Sequence, residues 1–371
     1  MADSAFDEFA HRRAALGAAL GHTPSHGPGD VKLDAFFIAS AANVRYLTGF
    51  TGSNGVLLVE PDGATFLTDP RYRIQAGQQV SCKVVVAAGP LPRRVVGLVK
   101  RKRIQRLGIE RNRIGFEQYD FLKCELPLGT VLEPVSGVVE RMRMVKSDSE
   151  IALIRASVAT NSRAFEAAVK AIRPGMREFE LAAKIDYLMR RLGAEGQAFD
   201  TIVASGSRTA LPHAHPGARA IQAGDLVLID MGAMQAGYAS DMTRMLHAGK
   251  AGGRVKEMYH AVLEAQRAAI AAVRPDVTAA SVDRAARNVL KEAGLDKTFV
   301  HSTGHGLGLE IHEPPRVGRK EKTRLEKGMA ITIEPGAYVE GFGGIRIEDT
   351  VLVTARGCEI LTPTAKELLQ I

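Results

Sequence analysis

The sequence predicts a two-domain α/β (α+β) protein whose second domain is one unit built twice. Three observations carry this reading. The stretches Leu226-Val227-Leu228-Ile229-Asp230-Met231-Gly232 and Ala330-Ile331-Thr332-Ile333-Glu334-Pro335-Gly336 are apolar strands, each ending in a carboxylate with a glycine two residues on. Asp230 and Glu334 lie 104 positions apart, as do Gly232 and Gly336. Upstream, Arg173-Pro174-Gly175 and Arg274-Pro275-Asp276, about 101 positions apart, lead into helical stretches ending at Leu192-Gly193 and Ala293-Gly294. Residues 34–140 show a different rhythm of short apolar runs separated by turn signals, as a separate mixed domain would.

In order along the chain, segment 5–20 reads as a helix. Ala35–Ala39, Gly55–Val59, Thr65–Thr68 and Lys83–Val86 read as strands, with a hairpin signal at Pro61-Asp62-Gly63, and 91–106 reads as a helix. The domains are placed at 1–141 and 142–371. Ser147-Asp148-Ser149-Glu150 has the form of a capping box opening a long amphipathic helix, with Ile151, Ile154, Val158 and Phe165 on one side, that runs to the Arg173 turn. Further helices are expected at 177–192, 254–273 and 281–293. Each half then reads helix, Arg-Pro turn, helix, loop, strand, strand, so two halves face each other in a pseudo-twofold arrangement.

The chain has 371 residues, enough for two ordinary domains, and 46% of them are apolar. It has no apolar run long enough for a membrane span. The N-terminal stretch is acidic and lacks the apolar segment of a secretory signal. Cys82, Cys124 and Cys358 are scattered without metal-type spacing, which fits a reduced cytoplasmic compartment. Net charge is +8, with basic residues gathered from Arg93 to Arg106. Val95, Val96, Leu98, Val99 and Ile104 interleave with them and no aromatic ring does. That pattern suits the solvated face of a core helix better than a nucleic-acid footprint.

The two acid strands are each followed by a second carboxylate, Asp241 in one half and Glu348 in the other, at spacings of 11 and 14 residues. A strand, a tight turn and a returning strand fit either spacing and would set both acids of a pair side by side on one hairpin. His305 lies between glycines that let the backbone approach closely. Four carboxylates and one imidazole suit a pair of divalent, moderately hard cations, whose four positive charges the carboxylates offset. His301, His305 and His312 fall within twelve residues, and His213 follows a loop in the first half. Clustering of this kind favours a functional reading. His11, His22, His26, His215, His247 and His260 are read as ordinary structural or surface histidines.

Asp230…Asp241, Gly304-His305-Gly306, His312-Glu313-Pro314, Ile333-Glu334-Pro335-Gly336 and Arg346-Ile347-Glu348-Asp349 together resemble the pita-bread metallopeptidases. The N-terminal part, through Asn43–Ser53 and Thr68-Asp69-Pro70-Arg71-Tyr72, resembles the creatinase-type domain of the Xaa-Pro peptidases, prolidase and aminopeptidase P. The resemblance implies a creatinase-like domain followed by a pita-bread domain with pseudo-twofold halves. It implies two divalent ions held by Asp230, Asp241, His305, Glu334 and Glu348, with Mn²⁺ preferred and Co²⁺, Zn²⁺ or Fe²⁺ as alternatives. His213 and His312 would act in catalysis, Glu334 would add general acid–base work to ligation, and Thr243 and Thr332 would support ligands through their hydroxyls. His301, Arg316 and Arg346 would serve the substrate side, Arg346 also balancing charge.

Proline-containing peptides are the implied substrates and a homodimer the implied assembly, with no nucleic-acid or membrane partner. An arginine at position 316 matches one that binds the dipeptide carboxylate in prolidases, whereas Gly49–Ser53 looks more like aminopeptidase P. The reading leans to the dipeptidase. Rivals are a binding protein on the same scaffold, another hydrolase activity on the same metals, and a nucleic-acid or partner-binding role through residues 93–106.

Overall fold

A computed structural model describes residues 7–24, 29–173 and 175–371. Residues 5 and 6 of the expected first helix, His26, and Pro174 of the expected Arg-Pro turn lie outside the described residues. The chain divides into two compact units, Met1–Arg143 and Met144–Ile371.

The first unit is built on a six-stranded sheet in the order Lys83–Val86, Gly63–Thr68, Gly55–Glu60, Ala35–Ile38, Arg106–Glu110, Val131–Val135. The four expected strands form one side of it. Glu60 pairs with Gly63, so Pro61-Asp62 is the two-residue turn of a hairpin. The strands Arg106–Glu110 and Val131–Val135, and the helices Ala41–Thr48 and Phe116–Glu125, go beyond the sequence reading.

The helix expected over 91–106 spans Leu91–Lys102. It stops short because Arg103 takes a left-handed conformation (φ 55°) and Ile104 N–H bonds back to the Val99 carbonyl at 3.1 Å, which frees Arg106 to start a strand. Val95 and Val99 are fully buried in the sheet's core, and Lys102 and Arg106 pair with Glu60 and Glu133 at 2.5 and 2.8 Å.

The second unit opens on the capping box. Ser147 Oγ accepts the Glu150 N–H at 3.3 Å and Glu150 accepts the Ser147 N–H at 3.1 Å, which stabilises the start of Asp148–Val169 by about 1 kcal/mol. Ile154, Val158 and Phe165 are buried and Ile151 is half-buried. The duplication is then visible element by element. Asp148–Val169 and Glu178–Arg191 back the sheet ordered Ile202–Ser205, Leu226–Met231, Met242–His247, Leu369–Gln370. Gly253–Ala272 and Ala279–Glu292 back the sheet ordered Glu313–Val317, Gly304–Gly306, Ala330–Ile333, Asp349–Val353, Cys358–Ile360.

The expected hairpins are present, one in each half. Leu226–Met231 pairs with Met242–His247 and continues in the same register into Ala233–Gln235 with Tyr238–Ala239, closed by a two-residue turn at Ala236-Gly237. Ala330–Ile333 pairs with Asp349–Val353 and continues in the same register into Gly336–Val339 with Gly343–Arg346, closed over residues 340–342. The glycine two residues after each acid is where the chain leaves the main sheet. A Cβ on Gly232 would lie 2.2 Å from the Ser240 carbonyl oxygen, so no larger residue fits that exit.

The halves are tied by buried polar bonds. Arg244, 2% exposed, donates to Asp349 Oδ1 at 2.7 Å, and Asp349 Oδ2 accepts from Gln266 and Lys366 at 2.8 and 2.7 Å. Thr350 Oγ1 donates to the Asp241 carbonyl at 3.0 Å. Among the described residues no helix is long and apolar enough to cross a membrane.

Candidate metal centre

The expected metal ligands Asp230, Asp241, His305, Glu334 and Glu348, with His213, His301, His312, Arg316 and Arg346, line one cavity of about 760 Å³ in the second unit. Register explains the carboxylates. Asp230 pairs with Thr243, one strand position on from Met242, so Asp241 enters beside it. Ile333 pairs with Asp349, which sets Glu334 and Glu348 as the next residues out from that pair. His305 is held by its glycines: a Cβ on Gly304 would sit 1.9 Å from the Thr332 carbonyl oxygen, and one on Gly306 would sit 2.3 Å from that of Pro314. These approaches carry the imidazole against the acid strand.

Ligand atoms of Asp241, His305 and Glu348 lie within 4.8 Å of one another. The Nδ1 of His305 meets the Gly306 carbonyl at 3.0 Å, so it carries the proton and Nε2 carries the lone pair. That lone pair faces Glu334 Oε1 at 3.4 Å and Asp241 Oδ2 at 3.5 Å. Acceptors facing acceptors repel unless a cation or a proton stands between them. Asp230 Oδ1 and Asp241 Oδ1 are buried with no hydrogen-bond partner among the described residues. A tautomer fixed by a carbonyl, orphaned buried carboxylate oxygens and an oxygen-rich donor set fit divalent metal ions.

Electrostatics without metal agree. Burial, followed by the charges of Glu348, Asp230 and Glu334, raises Asp241 well above the usual carboxylate range. Burial also raises Glu348 well above its ordinary value and lifts Glu334 to about 7. Burial lowers His305 and His312, and takes His301 down to about 4.

Arg346 answers part of the charge. Its Nη2 bonds Asp230 Oδ2 at 2.5 Å, its Nε bonds Thr243 Oγ1 at 3.0 Å, and its Nη1 bonds the Tyr338 hydroxyl and the Pro212 carbonyl at 2.9 and 3.1 Å. It lines the cavity as well. All three nitrogens are engaged inside the protein, and its side chain is 3% exposed. Thr243 and Thr332 make the hydroxyl contacts expected of them, to Glu348 Oε2 at 2.7 Å and Glu334 Oε1 at 3.2 Å.

His312 stacks edge-on against His305 with centroids 4.4 Å apart. His301 donates from Nδ1 to the Ser302 carbonyl at 2.8 Å and accepts the Tyr338 hydroxyl at Nε2, also at 2.8 Å. His213 is exposed on the cavity wall. Arg316 stands opposite His305 in strand register, which directs both side chains to one face.

Sequence reasoning missed several residues. Tyr338 links His301 to Arg346. Lys146 and Glu313 form an ion pair at 3.0 Å with side chains 1% and 2% exposed, next to His312. Asp283 and Arg287 hold the His301 loop: Asp283 accepts from Thr303 N and Oγ1, and Arg287 donates to the Phe299 and His301 carbonyls. His215, read as ordinary, also lines the cavity. Only Glu313, inside His312-Glu313-Pro314, sat in a segment that drew attention.

Comparison with known proteins agrees with this geometry. Residues 152–355 match the model of metallopeptidase family M24, and residues 29–145 match the creatinase/prolidase N-terminal domain. The chain belongs to metallopeptidase family M24. A Xaa-Pro dipeptidase of Pyrococcus furiosus is 41% identical over 340 residues, covering 91% of this chain and 95% of that protein. The structure of a Xaa-Pro dipeptidase from Bacillus anthracis superposes with a TM-score of 0.91 at 38% identity, covering 98% of this chain and 99% of that one. An X-Pro aminopeptidase from Thermotoga maritima superposes with a TM-score of 0.86 at 36% identity, over 92% of this chain and 98% of that one.

Proposed function

We propose that this metallopeptidase hydrolyses the bond between an N-terminal residue and a following proline, with Xaa-Pro dipeptides as its preferred substrates. The observation that carries the reading is the pairing of two features on one cavity: the carboxylate–imidazole cluster, and an exposed Arg316 whose side chain has no partner among the described residues. A guanidinium across from the cluster suits the carboxylate of a dipeptide whose scissile bond lies over the metal ligands. The names carried by the Pyrococcus and Bacillus relatives support it.

Asp230, Asp241, His305, Glu334 and Glu348 would hold the cations, and the carboxylate-rich set suits Mn²⁺. Bound divalent ions there would supply Lewis acidity and a water acidified toward neutral pH. The remaining work falls to this chain. Glu334, steadied by Thr332, is assigned the proton transfer to the proline nitrogen, which leaves as an amine. His312 and His213 are assigned hydrogen bonds to the oxygen on which charge develops. His301, fixed between Ser302 and Tyr338, is assigned to the substrate wall. Arg346 balances the charge of the acids.

The second reading, an aminopeptidase acting on longer peptides, is favoured by the Thermotoga relative and by a second cavity of about 390 Å³ beside Arg316. Hydrolysis of Ala-Pro against Ala-Pro-Ala by metal-stripped protein reloaded with Mn²⁺ separates the two. Faster turnover of the dipeptide supports the dipeptidase, and faster turnover of the tripeptide overturns it. Cleavage of neither, with metal bound, removes the Xaa-Pro reading and leaves a metallopeptidase of other specificity. A cytoplasmic location agrees with three unpaired cysteines. A homodimer is the assembly proposed, and light scattering on the eluting protein tests it.

A further inference from the structure

A second cavity of about 390 Å³ opens beside the main one and shares His301, Ser302, Arg316 and Glu321 with it. Its other walls include Gly318, Arg319 and Lys320. The chemistry of its rim is one-sided. The side chains of Arg316, Arg319 and Lys320 are exposed and none has a hydrogen-bond or ion-pair partner among the described residues. The one carboxylate present, Glu321, is turned to the Thr323 N–H and hydroxyl at 3.0 and 2.6 Å. Arg287, also on the wall, is occupied by Asp283 and two carbonyls. Three uncommitted cations therefore border a side chamber whose neighbour is lined by carboxylates.

Gly318, on the wall of the side chamber, lies against Ser302 and Arg316, which line both chambers. A Cβ there would touch Ser302 Cβ at 3.4 Å and Arg316 Nε at 3.6 Å, so any longer side chain would extend into the space glycine leaves open.

We propose that this side chamber is a subsite for the residue that follows proline, and that Arg319 and Lys320 select a carboxylate on that residue. The inference rests on the Xaa-Pro reading: if Arg316 marks where the proline residue ends, chain beyond it enters the side chamber. The carboxylate has two possible sources, the C-terminus of a tripeptide or an acidic side chain, and both present the same anion to the same cations.

The test uses full-length protein loaded with Mn²⁺. Ala-Pro-Ala against Ala-Pro-Ala-NH₂ isolates the terminal carboxylate. Ala-Pro-Glu-NH₂ against Ala-Pro-Gln-NH₂ isolates the side chain, and Ala-Pro is the reference. At least one carboxylate should lower KM about threefold to tenfold relative to its neutral partner, as expected for partly exposed pairs, and the ratio should shrink as salt rises. In Arg319→Gln/Lys320→Gln the ratio should fall to about one. Lys320→Glu should turn the preference toward Ala-Pro-Lys-NH₂, a gain that misfolding does not produce. Gly318→Leu should raise KM for tripeptides more than for Ala-Pro. Ratios near one in the native protein, or ratios that survive the double substitution, overturn the subsite while leaving Xaa-Pro hydrolysis intact. Failure to cleave any of these peptides, Ala-Pro included, overturns both.

Discussion

Thr243 in the first half donates its hydroxyl to Glu348 Oε2 in the second at 2.7 Å, while accepting Arg346 Nε at 3.0 Å. One hydroxyl thus joins Asp230, Arg346, Thr243 and Glu348 into a single line across the pseudo-twofold interface. Thr243→Val keeps the shape and removes both bonds, leaving a buried carboxylate oxygen and a guanidinium nitrogen without their partner. Metal affinity should fall roughly tenfold to a hundredfold, the usual cost of losing a group that orients a ligand. Thr243→Ser should restore most of it. Titration of the stripped variants with Mn²⁺ reads this out, and native affinity in the valine variant would refute the relay.

The raised carboxyls make a prediction about protons. In metal-free protein Glu334 is lifted to about 7, and Asp241 and Glu348 lie well above their ordinary values, burial being the first cause. Ligands must be deprotonated to bind, so metal uptake near pH 6.5 should release protons and tighten as pH rises. The same shifts fix the sign of stability. A carboxyl whose pKa is higher folded than unfolded holds more protons in the folded state, so its contribution is complete below the unfolded value and is lost as pH rises through the folded one. Metal-free protein should therefore lose thermal stability between about pH 4.5 and 7 relative to loaded protein. Calorimetry in two buffers of different ionisation enthalpy measures the protons, and identical observed heats in the two buffers would contradict the burial argument.

What the sequence made legible, and what it hid, follows from range. Asp230, Glu334 and the glycines beyond them were readable because strand, acid and exit glycine are neighbours in the chain, and the same short pattern occurs twice. His305 was readable because close backbone approach demands glycine on both sides. The place where each hairpin leaves its main sheet was not, since close approaches such as that of the Ser240 carbonyl to Gly232 are made across the fold. The bonds that hold Arg346, to Pro212, Thr243 and Tyr338, were not readable because they are made across the fold. Asp283, Arg287 and Lys146 were missed for the same reason: each sits in an unremarkable helical or linking segment and meets its partner only in three dimensions.

His312 offers a separation of chemistry from metal binding. It packs on His305 without reaching the carboxylates, and Lys146–Glu313 and the Glu313–Glu310 N–H bond anchor its segment. His312→Ala should cut kcat by about a hundredfold or more while KM changes little and metal content stays at the native level. Full activity in this variant would remove His312 from the mechanism. Loss of metal with loss of activity would instead make it a support for His305.

The loop that carries His301 should behave as a part set from outside. Asp283, fully buried, receives the Thr303 N–H and hydroxyl at 3.2 and 2.8 Å and pairs with Arg287 Nε at 2.7 Å. Thr303 in turn accepts the Glu334 N–H at 2.7 Å, so one helical pair governs the backbone beneath both His301 and Glu334. Arg287→Met frees the Phe299 and His301 carbonyls and leaves Asp283 buried beside an apolar chain, at a cost of about 3–5 kcal/mol. Arg287→Lys keeps the charge but not the fork that reaches two carbonyls and a carboxylate. The expected order of kcat is native, then lysine, then methionine, with metal content unchanged when each is measured below its own melting temperature. If the two variants lost stability equally and kept native kcat, the clamp would be holding the fold and not the geometry of the site.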